Sequence, residues 1–405
     1  MIPVSLVVVS HGRPDYLARL IGALRFQTCP KFELIIVSDA PTPLANPHKI
    51  RLKFVHFREA NISAARNAGL AQAGGAVVAF CDDDAIPDPP WLERLAAAFN
   101  DERVGVAGGP VRGRNGISLQ WRPCLVDAAG FDHPTVGGST LLWARDGRYP
   151  RVHGTNCAFR TDALRKIGGF DPGFRFYLDE TDVCVRLGAA GWATVAVEGA
   201  QVVHGFAPSA RRRSDRAPRT LFDVGASTAR FLEKHAPAQR DAAFARVRAE
   251  RRAGLLRMMV SGRIEPREVR RLLGTLNQGL QSPPDSPETE ATNRQESAQF
   301  LATDHRAPER SVMVAGHRKS AAKMVSLAKK LSNEPVSVII LNFSFTTLFH
   351  IFGYDDQGFW VQRGGVFGKS DRDAGALQRH TIASRAQAER ERLKTTFPIH
   401  ELILM

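Results

Sequence analysis

The run Ala76-Val77-Val78-Ala79-Phe80 leads, through Cys81, into three consecutive carboxylates, Asp82, Asp83 and Asp84. A short, β-branched run behind Gly74-Gly75 reads as a buried strand. Acids at the carboxyl end of such a strand lie where open α/β sheets bind ligands. Three neighbouring carboxylates repel one another unless a cation or donor neutralises them. Oxygen-rich clusters of this kind suit Mg²⁺ or Mn²⁺, which in turn hold diphosphates. The competing reading is a solvated turn whose Asp caps the next helix.

The residues on both sides of this cluster alternate strand and helix. Val4 to Val9, Phe32 to Val37, Lys53 to His56 and Ala76 to Phe80 read as strands. Pro14 to Phe26, with Leu17, Leu20, Ile21 and Leu24 on one face, reads as a helix, as do Ser63 to Ala73 and Trp91 to Phe99. This rhythm predicts an α/β fold with a mainly parallel sheet covered by helices on both faces. Val104 to Gly109 is a further strand. Residues 112 to 151, rich in Gly, Arg and aromatics, read as an irregular excursion on the substrate side. A short helix over Asp162 to Ile167, capped by Thr161 and closed by Gly168-Gly169, comes next. A helix over Thr181 to Ala190 and strands over Ala193 to Val197 and Gln201 to Val203 complete the unit.

The domain borders follow from composition. Residues 1–210 form the α/β unit, and 211–280 form a basic helical extension with Arg246, Arg248, Arg251, Arg252 and Arg257. Residues 281–308 form a polar, Pro-rich linker. Residues 309–405 form a small α/β unit with a strand at Ser311 to Ala315, a helix at Ser320 to Leu331 and a strand at Val336 to Leu341. Phe359 to Val361 and Gly364 to Phe367 suggest a hairpin, and Ser384 to Leu393 a charged helix. The turn Ala315-Gly316-His317 leads from strand towards helix, as phosphate-binding loops do, but without the P-loop or GxGxxG spacing.

The net charge of +14 over 405 residues implies an acidic partner: a phosphorylated substrate, an anionic membrane face or nucleic acid. No RNP, zinc or helix-turn-helix pattern supports nucleic acid. The five cysteines are odd in number and form no CxxC pair, which reads as free thiols in a reducing compartment. The most apolar stretch, Val336 to Phe352, carries too many polar residues for a transmembrane helix. A cytoplasmic protein is expected, with peripheral contact to an anionic membrane through 221–276, where Leu221, Phe222, Phe231 and Leu232 accompany the arginines.

Five segments fall in one order: Ser10-His11-Gly12-Arg13-Pro14; Ile35-Ile36-Val37-Ser38-Asp39; Ala64-Ala65-Arg66-Asn67-Ala68-Gly69; Asp82-Asp83-Asp84; and Gly168-Gly169-Phe170-Asp171 with Asp179-Glu180-Thr181-Asp182. Together they resemble family 2 glycosyltransferases of the GT-A fold, over about residues 3–206. The resemblance implies transfer of a sugar, with inversion, from a nucleotide-sugar donor to a glycan or lipid-linked acceptor, assisted by Mg²⁺ or Mn²⁺. By the same resemblance Asp39 binds the nucleotide base, and Arg66, Asp82 and Asp83 bind the donor. Asp84, with Asp82 and His204, holds the metal. Glu180 is the general base, with Asp179 as its rival.

Each residue also has a plainer reading. Asp39 could open an Asx turn, Arg66 could be an exposed helix arginine, and His204 an ordinary strand-end histidine. Asp179, Glu180 and Asp182 could be acids favoured by a helix N-terminus, with Asp182 paired to Arg186 at i,i+4. His11 and His153 read as structural or solvent-facing. Trp121, Trp143 and Tyr177 could form a sugar-stacking platform, and Arg211-Arg212-Arg213 a loop over the donor phosphates.

Two rival functions share parts of this pattern. A sugar nucleotidyltransferase needs a Gly-rich basic loop after the first strand, where His11-Gly12-Arg13-Pro14 stands instead. A non-catalytic nucleotide-sugar or polyanion-binding protein would not need acids at both the metal and the base positions.

Overall fold

The structure is a computed structural model. It describes all residues except 1, 41–45, 47–48, 136–140, 283–297, 333 and 376. The linker expected at 281–308 therefore lies largely outside the described residues.

The chain opens with β1 (Val4–Ser10), α1 (Pro14–Leu24), β2 (Phe32–Ser38), β3 (Lys53–His56), α2 (Ile62–Ala71), β4 (Val77–Asp82), β5 (Ala85–Pro87), α3 (Trp91–Ala98) and β6 (Val104–Gly108). The excursion that follows is not irregular. It contains β7 (Val111–Arg112), β8 (Leu119–Trp121), β9 (Cys124–Asp127), β10 (Asp132–His133), β11 (Leu141–Leu142) and β12 (Arg148–Arg151). These strands are two to four residues long, too short for a readable alternation. The unit closes with β13 (Asn156–Arg160), α4 (Thr161–Lys166), α5 (Asp179–Ala189), β14 (Ala193–Ala196) and β15 (Val202–His204).

The central sheet has eight strands in the order β11-β14-β6-β13-β4-β1-β2-β3. β1 runs parallel to β2 and β4, β2 to β3, and β14 to β6, whereas β13 is antiparallel to both β4 and β6. Alternation sorts its side chains into two cores. Leu6, Val8 and Ile36 meet Leu20 and Leu24 of α1 and Leu95 of α3 on one face. Val7, Ile35 and Val37 meet Leu70 of α2, Leu164 of α4 and Leu187 of α5 on the other. Thr161 is the first residue of α4 rather than its cap: its hydroxyl donates to the Gly75 carbonyl at 2.7 Å.

Two small sheets stand at the carboxyl end of the large one, β10-β9-β12 and β5-β15-β7-β8. The basic extension is α6 (Phe222–His235), α7 (Arg240–Val260) and α8 (Pro266–Gln281). Its core holds Leu221, Leu232, Leu255, Leu272 and Leu276. α6 and α8 touch backbone to backbone, since a Cβ on Gly279 would lie 2.1 Å from the Phe222 carbonyl oxygen. This corrects one expectation. Leu221, Phe231 and Leu232 are buried, and only Phe222 stands exposed. No helix among the described residues is long and apolar enough to cross a membrane.

The C-terminal part contains β16 (Arg310–His317), α9 (Ala321–Leu331), β17 (Val336–Ser344), β18 (Ile351–Tyr354), β19 (Trp360–Gly365), α10 (Ile382–Leu393) and β20 (Ile399–Leu404). Its sheet runs β18-β19-β17-β16-β20. The expected hairpin is misplaced by one strand. Residues 360–365 form a single strand, and its antiparallel partner is β18. The last strand, β20, pairs parallel with β16. One core joins this part to the first: Phe26 of α1 and Ile86 of β5 pack with Leu341, Phe343 and Trp360.

Candidate active site

The sheet's strand ends bring the site together. β4 finishes at Asp82, and the chain turns through Asp83 and Asp84 into β5. β15 pairs antiparallel with β5, setting His204 opposite Ala85. That pairing carries a histidine more than a hundred residues along the chain to the acidic turn. Asp82, Asp84 and His204 each offer one ligand atom, all within 4.8 Å of one another. His204 Nε2 is 3.5 Å from Asp84 Oδ1, while its Nδ1 lies 3.1 Å from the Gln120 side-chain oxygen. With the proton on Nδ1, the Nε2 lone pair faces the acids, as a metal-binding imidazole requires. The Ala207 N–H donates to Asp84 Oδ2 at 2.7 Å. Burial opposes the charge on Asp84, but His204, Arg13 and this N–H outweigh it and hold the carboxyl below its ordinary value.

Asp82 keeps 30% of its side chain accessible and is steadied by the Thr155 hydroxyl at 2.6 Å. Two carboxylates and an imidazole at one point form a donor set that fits Mg²⁺ or Mn²⁺. Asp83 differs from both neighbours. Its side chain has no accessible surface, and it is held by Arg13 at 2.6 Å and by the Ser10 hydroxyl at 2.7 Å. Burial pushes its carboxyl up to about 7, against the pull of Arg13. Asp83 braces the loop after β1 in this conformation.

Arg66 is buried in α2, ion-paired with Asp179, and donates to the Gly154 carbonyl at 3.1 Å. Its Nη2 stands 3.6 Å from Asp82. Its guanidinium lies 5.3 Å from the centre of the Phe170 ring. A Cβ on Gly154 would lie 2.8 Å from Nη2, so a larger residue there would push the guanidinium aside. Arg66 thus ties Asp82 to Asp179.

Asp179 and Glu180 open α5 behind Tyr177 and Leu178, which both have left-handed backbones with φ of 78° and 64°. Such strain in non-glycine residues clusters at functional sites. Arg151 Nη2 donates to Glu180 Oε1 at 2.9 Å, and the same guanidinium pairs with Asp132. Burial opposes the charge of Glu180, but Arg151, Arg66 and His153 outweigh it and hold its carboxyl below the usual value. Asp179 goes the other way: burial raises it, Arg66 resists, and the charge of Glu180 adds to the rise. Two adjacent acids are thereby driven apart, with Glu180 favoured as the ionised one. Asp182 pairs with Arg186 at 2.7 Å, as its helix spacing predicts.

Asp39 follows β2, two strands from β4 in the sheet, and is partly exposed. It accepts from the Gly12 N–H at 2.8 Å and lies 3.1 Å from His11. The three aromatics do not form one platform. Trp121 stacks on His153 at 5.1 Å and tilts against His204 at 5.6 Å. Tyr177 is occupied by Arg251 at 3.1 Å, and Trp143 is exposed beside β11 at the far edge of the sheet. Burial, with Arg151 alongside, lowers His153 to about 4, so it is a neutral stacking partner at pH 7.

Sequence reasoning missed Arg13, Gln120, Arg151 and Thr155. Only Arg13 left a signal, because its loop follows β1 at the end of the sheet where Asp82 lies. The cysteines are free, and all but Cys124 are buried.

A family model for glycosyl transferase family 2 matches residues 5–168. Among curated relatives, the O-antigen biosynthesis protein RfbC of Myxococcus xanthus is 28% identical over 237 residues, covering 53% of this chain and 18% of that one. The chain therefore spans less than a fifth of that relative. The uncharacterized glycosyltransferase YwdF of Bacillus subtilis is 32% identical over 241 residues, 57% of this chain and 82% of that protein. An N-acetylglucosaminyl-diphospho-decaprenol L-rhamnosyltransferase of Mycobacterium tuberculosis is 27% identical, covering 52% of this chain and 78% of its own length. Of solved structures, GalNAc-T7 with UDP, GalNAc and Mn²⁺ is similar at 18% identity and a TM-score of 0.44, over 57% of this chain and 48% of that one. By the extent and identity of the match to YwdF, and by its own match to the family model, this chain belongs to glycosyl transferase family 2.

Proposed function

We propose that the protein transfers a sugar, with inversion, from a nucleotide-sugar donor to a hydroxyl of a glycan or lipid-linked acceptor. The observation that carries this reading is the meeting of Asp82, Asp84 and His204 within 4.8 Å at the end of β4, with Asp82 joined through Arg66 to the Asp179-Glu180 pair. Asp82, Asp84 and His204 would hold Mg²⁺ or Mn²⁺. When bound, such a cation offsets the charge that develops on the departing diphosphate.

Glu180, ionised beside Arg151, accepts the proton of the acceptor hydroxyl. The acceptor oxygen then attacks the anomeric carbon from the face opposite the leaving group, and the bond to the nucleoside diphosphate breaks with its electron pair. Arg66 and Thr155 keep Asp82 in place, and Arg13 keeps the turn closed. Asp39, just after β2, would bind the base of the nucleotide. The mycobacterial relative is named for an acceptor built on diphospho-decaprenol, and a similar acceptor here would bring the basic helices to an anionic membrane face.

A panel of UDP-, GDP-, CDP- and dTDP-sugars, assayed for nucleoside diphosphate release with Mn²⁺ and with EDTA, tests the reading. One donor turned over only with metal supports it. Failure of every donor to bind or react overturns it.

A further inference from the structure

A cavity of about 450 Å³ opens between the segment after β15 and helices α6 and α7. Arg211, Arg212, Arg216, Arg251, Arg257 and Arg263 line it. Only two acids share the lining, and both are already engaged: Asp223 by Arg211 at 2.5 Å and Glu250 by Arg246 at 2.9 Å. Arg212, Arg216 and Arg257 form no ion pair among the described residues. Folding therefore gathers several cations with little internal compensation, an arrangement that a bound anion relieves. Leu221, Val224, Leu255 and Met258 supply an apolar side to the same cavity.

The cavity meets the metal-site residues through aromatic rings. Trp121 lines it and tilts against His204 at 5.6 Å. Arg216 lies 3.9 Å over Phe206, which packs on His204 at 4.5 Å. Phe206 and Arg216 are both left-handed, with φ of 57° and 71°. The chain thus holds a strained course to present these groups. Arg212 is exposed, and partial desolvation with Arg216 and Arg251 nearby lowers its pKa.

We infer that this cavity binds the phosphate ester or diphosphate of the acceptor, next to but separate from the donor site. All of its lining residues except Trp121 lie beyond the 5–168 segment matched by the family, and none of them is among Asp82, Asp84 and His204. Guanidinium forks suit phosphate oxygens in paired hydrogen bonds. The apolar wall suits a hydrocarbon tail beside that diphosphate. The inference rests on the transferase reading for its word "acceptor", while the anion site itself stands on the arginines.

The test uses the full chain and calorimetry with inorganic pyrophosphate in EDTA. Wild type is expected to bind without metal, and Arg212→Gln/Arg257→Gln to bind at least about tenfold more weakly, as the loss of charge-assisted hydrogen bonds implies. Asp84→Asn is expected to bind pyrophosphate as wild type does. Farnesyl diphosphate should displace pyrophosphate, and UDP or GDP with Mn²⁺ should not. Pyrophosphate binding that needs Mn²⁺ and Asp84, or that nucleoside diphosphates displace, overturns the inference and assigns the cavity to the donor. Binding unchanged in the double variant also overturns it. If the double variant melts early, Arg257→Gln alone, an exposed residue of the cavity lining, gives the same reading. Donor turnover is scored separately, so a failed transferase assay and a failed anion site are distinct results.

Discussion

Arg151 Nη2 donates to Glu180 Oε1 across 2.9 Å, and Arg151 leads the neighbours that hold this buried carboxyl below its usual value. Asp179 has Arg66 as its partner, yet burial and the charge of Glu180 raise it. Glu180→Gln should therefore keep donor binding and lose on the order of 10²-fold or more in kcat, as removal of a general base does. Asp179→Asn should cost far less rate than Glu180→Gln, since the raised Asp179 carboxyl is the less ionised of the pair. Near-normal transfer by Glu180→Gln would place the base elsewhere.

Replacing Arg151 tests the electrostatics. Arg151 holds the Glu180 carboxyl down, so Arg151→Ala should raise its pKa. A base works when ionised, so the low-pH limb of kcat/KM should move to higher pH. The deficit should be largest in acid and shrink as pH rises. Arg151→Lys should restore part of the shift. A loss of rate equal at every pH would mean that Arg151 acts on folding or binding instead.

The general plan of the sheet was legible because β1, β2 and β4 are runs of apolar residues ended by Ser10-His11, Ser38-Asp39 and Asp82. The strand β13 was not, because Cys157-Ala158-Phe159 between polar Asn156 and Arg160 is too short a run to read as one. Asp84 and His204 were expected together and lie together, since β5 and β15 pair. The burial of Asp83 and Arg66 could not be read, because it depends on Arg13, Ser10 and Asp179 arriving from elements far along the chain. Arg151 lies in a four-residue strand with no motif, and only the fold shows that it faces α5.

The C-terminal part carries a second buried ion-pair network. Glu389 accepts from Arg385 at 2.9 Å and Arg392 at 2.7 Å, close to His350. Burial opposes its charge, but Arg392, Ser370 and Gln362 outweigh that and lower it to about 2. A carboxyl depressed on folding adds stability above its unfolded value near 4.3, and that stability is lost as pH falls through about 2. Glu389→Gln should cost on the order of 2–3 kcal/mol at pH 7, with two arginines left unpaired. The gap to wild type should close as pH falls from about 4 towards 2 in urea titrations. A gap constant across that range would separate the network from stability.

Asp84 and the metal carry the central claim, and nucleoside diphosphate binding measured by calorimetry addresses it most directly. Wild type should bind UDP or GDP tightly with Mn²⁺ and weakly in EDTA. Asp84→Asn, which keeps the shape beside the Ala207 N–H, should show only the weak mode with an unchanged circular dichroism spectrum. Equal Mn²⁺-dependent binding by wild type and Asp84→Asn would contradict the assignment of the Asp82, Asp84 and His204 site.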